Sequence, residues 1–301
     1  MKVLLATDGK RPAIGAQKLL AGIGDRDRIE ITVMSVAGFD AAVQEGERTE
    51  GRFSPEAGRK HALAVVDRTV EELIASGYKA SGHLTEGFPP LDILHEIEHG
   101  WHELTVLGAG SASWIGQTLL GSVSTKVLHA SPTSVLIVHD YLGEVGGQVL
   151  LGSDGSRGAE FSLRTLIGFA DPGRVRVRVT SVVKPEEGIA EMPKRTSQQF
   201  VADQRRNESN RLQEAERHVS HAVRRLDDAG FQCEGDVHVG HPAEQLLKQA
   251  KEDGSDVVAV GSRGLGSVQR VVLGSVSDKV ARHARAALVG RRLTLAGGDD
   301  L

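Results

Sequence analysis

Glycine and serine crowd one stretch of the chain: Gly261-Ser262-Arg263-Gly264-Leu265-Gly266-Ser267, and nine residues after Gly264, Gly274-Ser275-Val276-Ser277. Glycines let backbone amides approach an oxyanion with no Cβ in the way. A helix beginning at Gly274-Ser275 adds unpaired N–H groups and the positive end of its dipole. The chemistry is phosphate binding, and the expected ligand is a nucleotide phosphate chain. Arg263 supplies a countercharge. Neither Gly-x4-Gly-Lys-Ser/Thr nor a strict Gly-x-Gly-x-x-Gly fingerprint is present, so this is a phosphate loop of another kind. The loop serines have no histidine beside them in sequence to act as a base, which argues against efficient catalysis.

A second string invites chemistry. His95-Glu96-Ile97-Glu98-His99 matches the His-Glu-x-x-His pattern of zinc hydrolases. Gly100 should end that helix at once, and the corresponding segment in the internal repeat described next is Lys248 to Glu252, a solvated helix surface. No catalytic metal is expected. The pair His218 and His221 reads as the polar side of a charged helix. The single Cys233 excludes an internal disulfide and reads as a space-filling residue.

The elements that position the loop belong to a repeat. Val3-Leu4-Leu5-Ala6-Thr7-Asp8-Gly9 returns 146 positions later as Val149-Leu150-Leu151-Gly152-Ser153-Asp154-Gly155. Leu120-Gly121-Ser122-Val123-Ser124 returns 153 positions later as Leu273-Gly274-Ser275-Val276-Ser277. The lengthened spacing places an insertion in the second copy, in the polar run Lys184 to Ser209, which lacks apolar periodicity and reads as a loop. The expected organisation is a domain over 1–142, a glycine-rich linker over 143–147, a second domain over 148–292 and a frayed tail over 293–301. Each unit alternates short aliphatic runs with helical stripes such as Ala159, Leu163, Leu166 and Ile167. Gly230 caps the helix that starts at Arg211. The apolar run Val257 to Val260 reads as a parallel strand buried on both faces, so the fold class is α/β with a doubly wound parallel sheet in each unit. Ligands of such sheets sit at the carboxyl ends of the strands.

At 40% hydrophobic and 25% charged residues, the chain can bury a sizeable core. A net charge of −4 gives no global field for nucleic acid or an anionic membrane, and no stretch is long and apolar enough to span one. The expected location is cytoplasmic.

Gly261-x2-Gly264-x9-Gly274-Ser275 resembles, position for position, the signature of ATP-binding universal stress proteins, and the likeness extends over both copies. The resemblance implies two tandem five-stranded Rossmann-like sheets, ATP as ligand with Mg2+ or Mn2+ accompanying it, a homodimer, and a regulatory or stress-adaptation role with an unidentified protein partner. It implies that Asp154 and Val182 hold the nucleoside while Gly261, Ser262, Arg263, Gly264, Gly266, Gly274, Ser275, Val276 and Ser277 surround the phosphates. The first copy offers Asp8, Val36, Gly108, Gly110, Gly121, Ser122, Val123 and Ser124. There the second loop glycine is Ser111 and Trp114 replaces Ser267, so occupancy of that half is open; Gly110 would have to absorb the turn. Two rival readings stand beside this one. The first is a ligand-free pseudo-dimer in which the halves pair through their last strands, Ser134 to His139 and Ala286 to Val289. The second is a nucleotidyl-transferring enzyme of the same fold.

Overall fold

In the computed structural model, residues 1–38, 55–110, 113–114, 117–118, 120–139, 143–185, 198–262 and 273–291 are described. The first half runs β1 (Lys2–Ala6), α1 (Arg11–Ile23), β2 (Glu30–Ala37), α2 (Pro55–Ala75), β3 (Lys79–Glu86), α3 (Pro89–His99), β4 (Leu104–Gly108), the short pair β5 (Ser113–Trp114) and β6 (Gln117–Thr118), α4 (Ser122–Ala130) and β7 (Ser134–Val138). The second repeats it: β8 (Gln148–Gly152), α5 (Arg157–Phe169), β9 (Arg176–Val183), α6 (Gln198–Asp228), β10 (Gln232–Val239), α7 (Pro242–Glu252), β11 (Val257–Gly261), α8 (Ser275–His283) and β12 (Ala286–Gly290).

Why the strand runs are apolar throughout follows from their cover. Val3 and Leu5 face one layer, built from α1, α2, α5 and α6, while Leu4 and Ala6 face the other, built from α3, α4, α7 and α8. Both residue sets are buried, so alternation gives way to a continuous aliphatic run. The two parallel sheets expected are present, in the orders β3-β2-β1-β4-β7 and β10-β9-β8-β11-β12, and they are fused into one ten-stranded sheet. The seam is antiparallel: Ala286 lies opposite Val138, Ala287 opposite Ile137, Leu288 opposite Leu136 and Val289 opposite Val135. The last-strand pairing weighed from the sequence is therefore the way the halves meet. The segment 143–147 is no loose tether, since Val145 packs against Gly22 of α1 and into the core on that side.

Beyond the seam, each half caps a helix of the other. His139, after β7, places Nε2 2.8 Å from the carbonyl oxygen of Ala281 near the end of α8. Arg291, after β12, donates to the carbonyls of Leu128 (2.5 Å) and Ser131 (3.0 Å) at the end of α4. Leu128 and Ala281 are equivalent positions of the repeat, so the exchange is reciprocal. A cation at a helix C-terminus is favourable, and each contact satisfies a carbonyl without an intrahelical partner.

One expectation is corrected. The polar run ending at Ser209 is not loop throughout: α6 begins at Gln198, so 198–209 is helical. Gln, Glu, Arg and Ala are good helix formers, and the apolar residues of this segment, Phe200, Val201 and Ala202, are consecutive rather than at helical spacing, so they leave no stripe to read. The stripe that anchors α6 is Ala215, Val219, Ala222 and Leu226. Arg211 donates to the carbonyl of Lys184, just past β9, at 2.7 Å, and fixes the height at which the helix leaves the sheet.

Candidate functional site

The site is built from three connections at the carboxyl edge of each half-sheet. In the second half the chain leaves β11 at Gly261. A Cβ there would lie 2.3 Å from the backbone carbon of Gly158 and 2.5 Å from the nitrogen of Ala159, in the first turn of α5. Gly261 is thus required by the close approach of strand and helix, and Gly108 has the same role against Pro12 and Ala13 of α1. Ser262 and Gly274 are neighbours in space. Arg263, Gly264 and Gly266, proposed for the phosphates, lie outside the described residues, as do Ser111 and the rest of 263–272.

Ser262 and Gly274 are latched together. Gly274 N–H donates to the carbonyl of Ser262 at 2.8 Å, and the hydroxyl of Ser277 donates to the carbonyls of Ser262 (3.0 Å) and Gly274 (2.9 Å). The first half closes identically: Gly121 N–H to the Ala109 carbonyl at 2.5 Å, and Ser124 Oγ to Ala109 O at 2.8 Å and Gly121 O at 3.1 Å. Ser124 and Ser277 are buried. Their hydroxyls shape the loop. Ser122 and Ser275 are exposed, and Val123 and Val276 half-buried. At the first turns of α4 and α8, Ser122, Val123 and Ser124, and equally Ser275, Val276 and Ser277, present backbone N–H groups with no acceptor inside the helix. Gly110 sits at φ +97°, absorbing the turn as the departure of the first-half sequence requires.

At the same edge of the sheet lie the β8–α5 turn and the end of β9. Asp154 is exposed and its Oδ1 accepts from Ser156 N–H at 3.0 Å, while Ser156 caps α5 by accepting from Ala159 N–H at 3.2 Å. Asp8 makes the matching turn with Lys10 N–H at 3.0 Å. Val182 owes its position to strand alternation. Thr180 O takes the last rung from β8 through Ser153 N–H, and Val183 O takes one from Gly240 N–H on the opposite side. Alternate peptides of a parallel strand address opposite neighbours. Val182 therefore turns its N–H and C=O toward the β8 side, one rung beyond the point where β8 has left the sheet. Val36 stands in the same relation to Met34 and Thr7. A backbone donor and acceptor at a half-buried position without a ladder partner is suited to reading the edge of a planar base.

One neighbour of the site went unread in the sequence. His218, grouped with His221 as surface, is half-buried, and its ring lies where a Cβ on Gly155 would fall, 2.3 Å from Nε2. The corresponding residue over Gly9 is Val65, and only that comparison between copies could have flagged it. Cys233 is a bystander: burial pushes its thiol up, and Sγ donates to the Val223 carbonyl at 3.4 Å. Among the described residues, no group of three or more His, Cys, Asp or Glu is arranged to hold a metal ion, and no helix is long and apolar enough to cross a membrane.

Comparison with known proteins follows the same two-part division. A family model described as the universal stress protein family matches residues 1–139 and again 147–289. A universal stress protein of Mycobacterium bovis is 27% identical over 299 residues, 96% of each chain. One from Mycobacterium tuberculosis is 32% identical over 205 residues, 64% of this chain, and the match spans 62% of that relative's length. Among solved structures, a universal stress protein from Archaeoglobus fulgidus superposes with a TM-score of 0.65 at 22% identity, covering 97% of this chain and 98% of its own. A functionally unknown protein from Pseudomonas aeruginosa superposes with a TM-score of 0.63 at 16% identity, covering 97% and 92%. These likenesses establish the fold.

Proposed function

The chain belongs to the universal stress protein family, and on that premise we propose that it is a nucleotide-binding regulatory module whose principal site, for ATP, lies in the second half. The observation that carries this reading is the placement of three groups at one carboxyl edge of the second half-sheet. They are the open first-turn amides of α8, the Asp154 turn, and the Val182 peptide facing away from its ladder. Amides seat the phosphates, Val182 reads the base, and Asp154 flanks the sugar. Mg2+ or Mn2+ would arrive on the nucleotide's own phosphates. The first half keeps the same latch, seat and Val36 peptide, and we place a second, weaker or differently selective site there.

A binding role rather than efficient catalysis is supported by the serines. Ser277 has committed its hydroxyl to two carbonyls, and among the described residues no histidine or carboxylate is hydrogen-bonded to Ser262, Ser275 or Ser277. A homodimer, if formed, uses a surface other than β7 and β12, because those two strands already pair with each other. A protein partner would read the occupied crevice.

The test is direct. Protein purified from cells and denatured should release an adenine nucleotide, and added ATP should raise the melting temperature of emptied protein. Ser275→Asp places a carboxylate where the phosphates would sit. The same charge suits the helix dipole and leaves folding intact. Loss of the ATP-induced shift in that variant, with an unchanged melting temperature in its absence, is the expected result. Retention of the shift in Ser275→Asp together with its loss in Ser122→Asp would move the principal site to the first half. Retention in both would remove the phosphate seat from the reading.

A further inference from the structure

We propose that His95 and His99 form a two-imidazole site for a borderline divalent transition-metal ion on the outer face of α3, remote in function from the nucleotide crevice. The His-Glu-x-x-His string set aside in the sequence proves to be two half-motifs pointing in opposite directions. Its glutamate is turned inward. Glu96 Oε1 lies 2.9 Å from Nε2 of the buried His102, and its Oε2 lies 3.7 Å from Nε2 of His83. A carboxylate held there cannot activate a water on the outer face, so the hydrolytic half of the string is dismantled.

The ligating half survives. One helical turn apart, His95 and His99 are both exposed, and their rings stack with centroids 3.8 Å apart and planes 16° from parallel. His99 Nδ1 lies 2.9 Å from the backbone carbonyl of His95. A carbonyl oxygen only accepts, so Nδ1 carries the hydrogen and the lone pair of the neutral ring is on Nε2. A backbone acceptor on the far nitrogen is the arrangement that orients a histidine ligand. Two metal–nitrogen bonds of about 2.0–2.1 Å put their nitrogens roughly 3 Å apart; the near-parallel rings hold their lone pairs side by side, so chelation turns one exposed ring out of the stack, and the i, i+4 spacing keeps both rings within reach of one ion. Imidazole pairs suit Zn2+, Ni2+ and Cu2+, whereas Mg2+ and Ca2+ want oxygen ligands this face does not gather. Gly100 caps α3 directly after His99, so the helix offers no further turn of ligands. The ion keeps open positions for water, a surface clip rather than an enclosed centre.

The experiment is calorimetric titration of the full, untagged chain with NiCl2 and separately ZnCl2. One ion per chain is expected to bind saturably. His95→Gln and His99→Gln should each weaken binding by more than about tenfold, since even loss of an outer-sphere partner commonly costs 10–100-fold. His221→Gln, on α6, should leave the isotherm unchanged. Both test positions are exposed, and circular dichroism verifies that the variants fold. Absence of saturable binding by the natural chain, or unaltered binding by either α3 variant, overturns the proposal, as does loss of binding in His221→Gln.

Discussion

The same methyl group should have opposite effects at two glycines. Gly254, after α7, holds φ +65° with nothing within 4 Å of a built Cβ, so Gly254→Ala meets no clash and its cost is conformational, about 1 kcal/mol of unfolding free energy. Gly58, inside α2, also has open space but ordinary helical backbone, and Gly58→Ala should stabilise by about 0.5–1 kcal/mol. Urea melts of the two variants check the pair; equal signs would contradict it. The first half puts Trp101 at the position of Gly254, at φ 59°. Residue roles at the site were only partly legible at this scale. Spacing located Gly274, Ser275 and Ser277 at a helix start, and the helix begins there. It said nothing of where a hydroxyl points, because Ser277 turns inward for reasons of loop closure that lie fifteen residues away at Ser262. His218 looked like a surface residue because its burial depends on a glycine in another element.

Elements were read best where they are buried. The run Val257 to Val260 and the stripe along α5 were legible because burial on two faces or one leaves a period in the sequence. The first turns of α6 were not, since Phe200, Val201 and Ala202 are consecutive and leave no helical period. The ends of α4 and α8 were equally opaque: their caps come from the far half. Arg291→Met removes the guanidinium from the Leu128, His129 and Ser131 carbonyls and should cost about 2 kcal/mol, as hydrogen bonds from a charged donor do. Thermal unfolding of the variant measures it. The reciprocal cap is pH-sensitive. Burial holds His139 below its ordinary value, against a smaller opposing effect of the bond to Ala281. Its folded pKa is therefore depressed relative to the unfolded chain. The unfolded state takes up the proton first, so the contribution is complete above the unfolded value of about 6.5 and is lost as pH falls toward the folded one. Between pH 7.5 and 5.5 the natural chain should lose more stability than His139→Gln does; parallel slopes would count against the assignment.

At the scale of the whole molecule, the duplication was legible from matched strings, and the seam from the aliphatic character of Ser134 to Val138 and Ala286 to Val289. What sequence could not decide was whether those edges meet each other or a second chain, since an unpaired edge is equally available to both. Here they meet each other, and the buried clusters run across the join. Cutting the chain at 142 would expose β7, with Val135 and Ile137 in an open ladder. Residues 1–142 expressed alone should self-associate on size-exclusion chromatography. A monomeric fragment would show that the edge is protected in some other way.

The antiparallel seam also fixes the polarity of the two crevices. Strands of one half run against those of the other, so their carboxyl ends emerge at opposite poles of the sheet. The two candidate sites face away from each other, and neither lends a wall to its twin. One loop was thus free to trade a glycine for Ser111 without disturbing its counterpart, and a partner docked at one pole leaves the other accessible. On the proposed function, a duplication of this geometry would make the molecule double-ended, with each end addressed independently of the other.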